Sequence, residues 1–374
     1  MDAILNEACP TSTATSNAPG CPPVQLLAFT SSALTNVSSH GRDSLMRSAA
    51  ALHYPLHLAF LPSKFLGLRR AVAACALANL SATCPDTIAI VVDAYDTFMR
   101  CPASEVLRRM ERHESKGVHM LLSTELMYSF QHPSAQTFWD ERALHNGNST
   151  RYRYGNIGGL IGRASAMQLL WRAAAAKPPS DYHLSGLPNR TDLRYVHKLQ
   201  GTMISANADQ KPLMEVVHQD LMQAKNGMGG AHGGAVELDY GREFFHVLVQ
   251  PDLRGVRLPR DDTGRGGFIP SRITDRILQD DPCLVHVPGP LNRGVVVKLF
   301  NSTGPRTRPP LMALGTVPGN EPTFSTWAFC QLCRSWLSRS AMTQNLCLNL
   351  VSGGGDAQAQ AKLRVALGGR CVAV

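Results

Sequence analysis

Short β-branched runs that stop at hydroxyl or carboxylate residues, separated by segments with helical apolar spacing, predict an α/β protein with a mostly parallel central sheet flanked by helices. Two runs carry most of this expectation. VQLLAFTSS, from Val24, and TIAIVVDAYD, ending at Asp93 and Asp96, have the near-continuous apolar character of strands buried on both faces. In such sheets ligands bind beyond the C-terminal strand ends, where both runs turn polar.

The elements follow in order. SLMRSAAALHY has helical spacing and LHLAF is a second strand; SKFLGLRRAVAACALANL is a helix, expected to turn Arg69 and Arg70 to solvent. After TIAIVVDAYD come a helix, SEVLRRMERHESKG, and a strand, VHMLLST. YGNIGGLIGRASAMQLLWRAAAA reads as a Gly-rich turn feeding a helix. Residues 177–208, rich in Pro, Ser, Asn and Arg, form an expected insertion. QKPLMEVVHQDLMQAKN is a helix leading into the glycine-rich linker GMGGAHGGA. VELDYGREFFHVLV then resumes strand character, and a polar, basic loop from Pro251 to Pro270 precedes CLVHVPGP. Residues 1–23 read as a disordered leader and 306–374 as a C-terminal extension partly packed on the main domain, 24–305.

With 37 Lys and Arg against 28 Asp and Glu, the chain of 374 residues carries a formal charge of +9 and suits anionic partners. The basic residues form no run with interleaved aromatics, so nucleic acid is not an expected partner. No apolar stretch has transmembrane length, and the first residues show neither a basic nor an apolar signal segment. Ten dispersed cysteines do not resemble the framework of a small secreted domain, and several are expected to be buried thiols. Sequons at Asn36, Asn79, Asn148, Asn189 and Asn301 point instead to a secretory history.

Five segments hold residues of the types that carry chemistry. In IAIVVDAYDTF a strand delivers Asp93, Ala94, Tyr95 and Asp96 to a loop, where two carboxylates can anchor a divalent ion and its diphosphate; the same spacing also suits a strand-end Asp that caps the next helix. In CLVHVPGPLNRG, His286 is a possible metal ligand, Gly289 allows close phosphate approach and Arg293 can neutralise it, although this segment taken alone fits a satisfied strand-end histidine better. YGNIGGLIG lacks the dinucleotide-binding glycine register. His218 and Asp220 imitate part of an iron triad, but in a helix rather than at a strand mouth. Cys330 and Cys333 form a single C-x-x-C without a second pair at zinc spacing.

Taken in order, LLAFTSS, MRSAAALHY, SKFLGLRRAV, VVDAYDTFM, LLSTELMYS, YGNIGGLIGRA, ADQ, VELDYGREFFHVL, LVHVPGP and TWAFCQLC resemble the glycosyltransferase domain of the procollagen lysyl hydroxylases, relatives of the collagen galactosyltransferases. The resemblance implies a GT-A-type glycosyltransferase fold over residues 24–305, with a UDP-sugar donor and Mn²⁺ (or Mg²⁺). It implies Asp93, Asp96 and His286 as metal ligands. Thr30, Ser31 and Ser32 would line the nucleotide pocket with Ala94, Tyr95 would stack on uracil, and Gly289, Pro290 and Arg293 would hold the diphosphate. The family's D-D-Q corresponds to Ala208, Asp209 and Gln210, leaving Asp209 as the catalytic carboxylate. Ile157 replaces a small polar residue of the family. The expected reaction is transfer of glucose or galactose to a protein or glycan hydroxyl, including a hydroxylysine-linked one, in the endoplasmic reticulum or Golgi lumen. Lysyl hydroxylation is not expected. A catalytically silent UDP-sugar-binding protein is the alternative.

Overall fold

The computed structural model describes residues 20–31, 39–61, 66–126, 139, 141, 152–177, 212–223, 235–249, 271–288 and 293–305. Its elements are β1 (Val24–Ser31), α1 (Ser39–Ala51), β2 (Leu56–Leu61), α2 (Leu66–Thr83), β3 (Ile88–Asp93), β4 (Thr97–Met99), α3 (Ala103–Glu114), β5 (Val118–Glu125), β6 (Tyr154–Arg163), α4 (Ala164–Ala176), α5 (212–223), β7 (Ala235–Leu238), β8 (Phe245–Val247), α6 (Ser271–Asp280), β9 (Leu284–His286) and α7 (Arg293–Thr303).

Six strands form the main sheet in the order β2-β1-β3-β6-β5-β7. All its pairings are parallel except those of β6, which runs antiparallel to both β3 and β5. The mostly parallel sheet expected from the sequence is present, and the period of two along its strands separates two cores. Leu27, Phe29, Ala89, Val91, Met120 and Leu122 pack with α2 and α4. Leu26, Ala28, Ile90, Val92 and Leu121 pack on the other face, with Leu45 of α1 and Val106 and Met110 of α3. Burial on both faces explains the absence of polar alternation in these runs.

A second sheet, β4-β9-β8, has three residues per strand. Its outer face buries Phe98, Val285 and Val287 against Ile273 and Ile277 of α6 and Val296, Leu299 and Phe300 of α7. Its inner face, with Met99, Leu284 and Phe245, joins the core of the main sheet.

Several expectations change. The Gly-rich segment is not a turn: Tyr154–Arg163 is a ten-residue strand inside the main sheet, because its glycines leave room for rings stacked against it. Arg69 and Arg70 do not face solvent; they are 5% and 0% exposed. Arg70 donates to the carbonyls of Ala174 (2.6 Å) and Lys177 (2.9 Å), satisfying the C-terminal end of α4. VELDYGREFFHVLV is two strands parted by Asp239. This buried carboxylate accepts the N–H groups of Glu243, Phe244 and Phe245 at 2.7–2.9 Å, while burial pushes its pKa up to about 6.

Cys101 and Cys283 are buried but bridged to each other, and Cys21 pairs with Cys84. Cys75 is also disulfide-bonded. Polar Ser271–Asp280 forms α6, unanticipated because only Ile273 and Ile277 of its residues enter the core. Most of the leader, most of the 177–208 insertion, the 306–374 extension and the C-x-x-C lie outside the described residues.

Candidate metal centre

β3 carries Asp93 out of the core at its C-terminal end, on the face shared with Ala89 and Val91 and facing α2. The chain then bends through Ala94, Tyr95 and Asp96 into β4. Two contacts fix that bend: the Thr97 hydroxyl donates to the Asp93 carbonyl, and the Val287 N–H donates to the Asp96 carbonyl at 2.8 Å. Thr97 pairs with His286 in the antiparallel β4–β9 ladder, so the residue after Asp96 is registered directly against His286. Just past the last pair, Met99 with Leu284, the Cys101–Cys283 bridge closes the ladder.

Tertiary packing aims the imidazole. His286 faces β6 across Gly158, where an added Cβ would lie 1.9 Å from the ring's Cε1 and 2.4 Å from Nδ1. Next to it, a Cβ on Gly159 would lie 2.5 Å from the Phe245 ring. Only glycine accepts these approaches. The Gly158 N–H bonds the Asn156 side chain at 2.8 Å, and Asn156 is itself tied to β5 through the Ser123 hydroxyl at 2.6 Å.

One ligand atom each from Asp93, Asp96 and His286 lies within 4.8 Å of the others, the only such group found among the described residues. His286 Nε2 stands 3.4 Å from Asp93 Oδ2 and 3.5 Å from Asp96 Oδ1. Beyond these longer contacts, neither imidazole nitrogen nor Asp96 Oδ1 makes a hydrogen bond among the described residues, although all three atoms are buried. Buried polar atoms are rarely left so. Two carboxylates and one imidazole converging, with Asp96 Oδ1 and the imidazole nitrogens making no hydrogen bond among the described residues, are a fitting donor set for a small divalent cation.

The electrostatics without an ion agree. Burial alone would raise the Asp93 pKa, but the Arg69 charge and then His286 outweigh it and hold the carboxyl at about 2. Burial alone would lower the His286 pKa; the Asp96 charge and the proximity of both carboxylates raise it to about 10. A proton on His286 therefore occupies the place that a cation would take.

Of the other expected site residues, Ala94 has its side chain fully buried, and Tyr95 is partly buried against the same core. Thr30 and Ser31 end β1, beside β2. Arg293 opens α7, seven residues beyond His286. Ser32, Asp209, Gly289 and Pro290 lie outside the described residues. His218 sits in α5, as expected, with its ring 6.1 Å from that of Trp139. Ile157 is a core residue, 6% exposed.

Arg69 is the site residue that sequence reasoning missed. It reaches across from α2 to pair with Asp93 Oδ1. Its signal was an arginine within an otherwise apolar helix, which periodicity assigned to the wrong side.

No family model matches the chain, and no curated protein matches it in sequence. Solved structures similar to it include a glycosyltransferase involved in the glycosylation of the major capsid of PBCV-1, at 7% identity and TM-score 0.35, covering 74% of this chain and 100% of that one. The apo WbbM bifunctional glycosyltransferase shares 9% identity at TM-score 0.33; the match covers 76% of this chain and about half (51%) of WbbM. Mouse xyloside xylosyltransferase 1, in its apo form, shares 10% identity at TM-score 0.33 over 72% of this chain and 98% of that one.

Proposed function

We propose that this protein is a metal-dependent glycosyltransferase of the GT-A type, moving glucose or galactose from a UDP-sugar to a hydroxyl acceptor. One observation carries the reading: Asp93, Asp96 and His286 converge at the C-terminal edge of a mostly parallel sheet, and Asp96 Oδ1 and both imidazole nitrogens are buried there without a hydrogen bond among the described residues. The ordered resemblance to the procollagen lysyl hydroxylase glycosyltransferase domain supplies the donor class and suggests a hydroxylysine-linked acceptor.

In this reading Asp93, Asp96 and His286 hold Mn²⁺ or Mg²⁺, which when bound supplies Lewis acidity toward the leaving diphosphate. His286 must first release its proton. Arg293, Gly289 and Pro290 then neutralise and cradle the diphosphate as charge develops on it. Thr30, Ser31 and Ser32, with Ala94, line the nucleotide pocket, and Tyr95 stacks on uracil. Asp209 orients or deprotonates the acceptor hydroxyl as its oxygen bonds to the sugar carbon that UDP leaves. The disulfides and five sequons support a lumenal, oxidising compartment, in the endoplasmic reticulum or Golgi.

Ala208, standing where the family carries a second acidic residue, favours a second reading: a UDP-sugar-binding protein without transfer activity. Incubation with Mn²⁺ and a panel of UDP-sugars, with and without hydroxylysine-containing acceptor, separates the two through released UDP. Acceptor-dependent release supports the enzyme; tight Mn²⁺-dependent UDP binding without release supports the silent protein. If Asp93→Ala and His286→Ala leave Mn²⁺-dependent UDP binding intact, the proposed centre is wrong.

A further inference from the structure

The two oxygens of Asp93 have different neighbours. Oδ1 is taken by Arg69 Nη1, while Oδ2 stands 3.4 Å from His286 Nε2, inside the proposed centre. Arg69 has little freedom to let go. Its side chain is only 6% exposed, its Nη2 donates to the Ile157 carbonyl at 3.4 Å, and its guanidinium carbon lies 5.5 Å from the Phe29 ring centroid. The backbone behind it belongs to α2, whose Ala71, Val72, Ala73 and Leu77 are packed in the core. Asp93 can therefore offer a cation one oxygen, not two.

That restriction bears on which cation binds. Mg²⁺ and ions of similar size take single oxygens at about 2.0–2.1 Å in near-octahedral geometry, whereas Ca²⁺ takes about 6–8 oxygens at roughly 2.3–2.6 Å and readily uses both oxygens of a carboxylate. We propose that Arg69 is a positioning residue that confines Asp93 to single-oxygen coordination, so that the centre selects small divalent cations against Ca²⁺. The inference rests on the metal-centre reading above and adds a determinant of selectivity to it.

The test compares binding of Mn²⁺ and Ca²⁺ to the full chain by titration calorimetry, with Mn²⁺ paramagnetic resonance as a second readout, in the wild type, Arg69→Gln and Arg69→Lys. Loss of the arginine charge raises affinity for both divalent ions alike, so the quantity read is the Mn²⁺ to Ca²⁺ affinity ratio. This ratio is expected to fall about tenfold or more in Arg69→Gln, the scale on which outer-shell partners act on metal sites. It should stay near the wild-type value in Arg69→Lys, which keeps a donor for Oδ1 and also serves where Arg69→Gln does not fold. An Arg69→Gln ratio within threefold of wild type, or equal loss of selectivity in both variants, overturns the role of Arg69 while leaving the centre standing. A wild type that binds neither ion overturns the centre itself.

Discussion

Asp93 leaves a strand of the six-stranded sheet that is buried on both faces, whereas His286 ends a strand of a three-stranded sheet with three residues per strand, and Asp96 immediately precedes another. Asp93 inherits its position from a large apolar core. The other two depend on a ladder too short to hold its register alone. What holds it is the outer cluster of α6 and α7, the Cys101–Cys283 bridge and the close seat of His286 on Gly158. One centre is thus built from a part that tolerates local change and a part that does not.

The largest expected effect breaks the weaker part. Cys101→Ser with Cys283→Ser removes a cross-link between residues 182 apart and should cost about 2–5 kcal/mol in denaturant melts. Hydrogen exchange should accelerate in β4 and β9 while β1 and β3 stay protected. Uniform acceleration across both sheets would show that they unfold as one and that the contrast is unfounded. Next comes Gly158→Ala, whose methyl must displace the His286 ring, at a cost of about 1–3 kcal/mol. In the proposed centre, where the ring serves as a ligand, Mn²⁺ affinity should fall by more than about tenfold.

Arg70→Met tests the other side. It removes two hydrogen bonds to the end of α4 and should lower stability by about 1–3 kcal/mol, yet leave Mn²⁺ affinity unchanged.

A pH series sharpens the comparison further. Without metal, His286 is raised from 6.5 to about 10, so the stability its charged ring contributes is fully present below pH 6.5 and is lost as pH rises through about 10. In the proposed centre a cation needs the neutral ring. Apparent Mn²⁺ affinity should therefore rise with pH across that window, by about tenfold per unit where one proton leaves per ion. Calorimetry in buffers of different ionisation enthalpy counts that proton directly. The smallest effect is expected from Thr97→Val, which removes one hydroxyl contact to the Asp93 carbonyl and should cost about 1 kcal/mol in thermal melts.

Much of this architecture was legible in the chain. β1, β3 and β5 announce themselves as β-branched or leucine-rich runs, since burial on both faces leaves no place for polar alternation. Asp93 and Asp96 were visible because carboxylates after such a run have no role in the core. Less was legible where one residue's role depends on a distant one. Arg69 looked like the wet side of a helix, because periodicity reports how often a face is apolar and cannot register a carboxylate brought up from β3 to meet an arginine. The YGNIGGLIG segment looked like a turn for a related reason. Glycine is usually a breaker, and only the rings of His286 and Phe245 packed upon it explain why a strand here must lack side chains.

The sequence by itself determined the α/β alternation, the two strand-end carboxylates and the candidacy of His286, all of which follow from local pattern and residue chemistry. The tertiary structure alone decided that these three side chains meet. It also decided that Arg69 claims one oxygen of Asp93 and that Cys101 and Cys283 close the ladder beside Asp96 and His286. The physical reason is separation along the chain: Asp96 and His286 come together only when β4 pairs with β9, and no periodicity within either segment encodes that pairing.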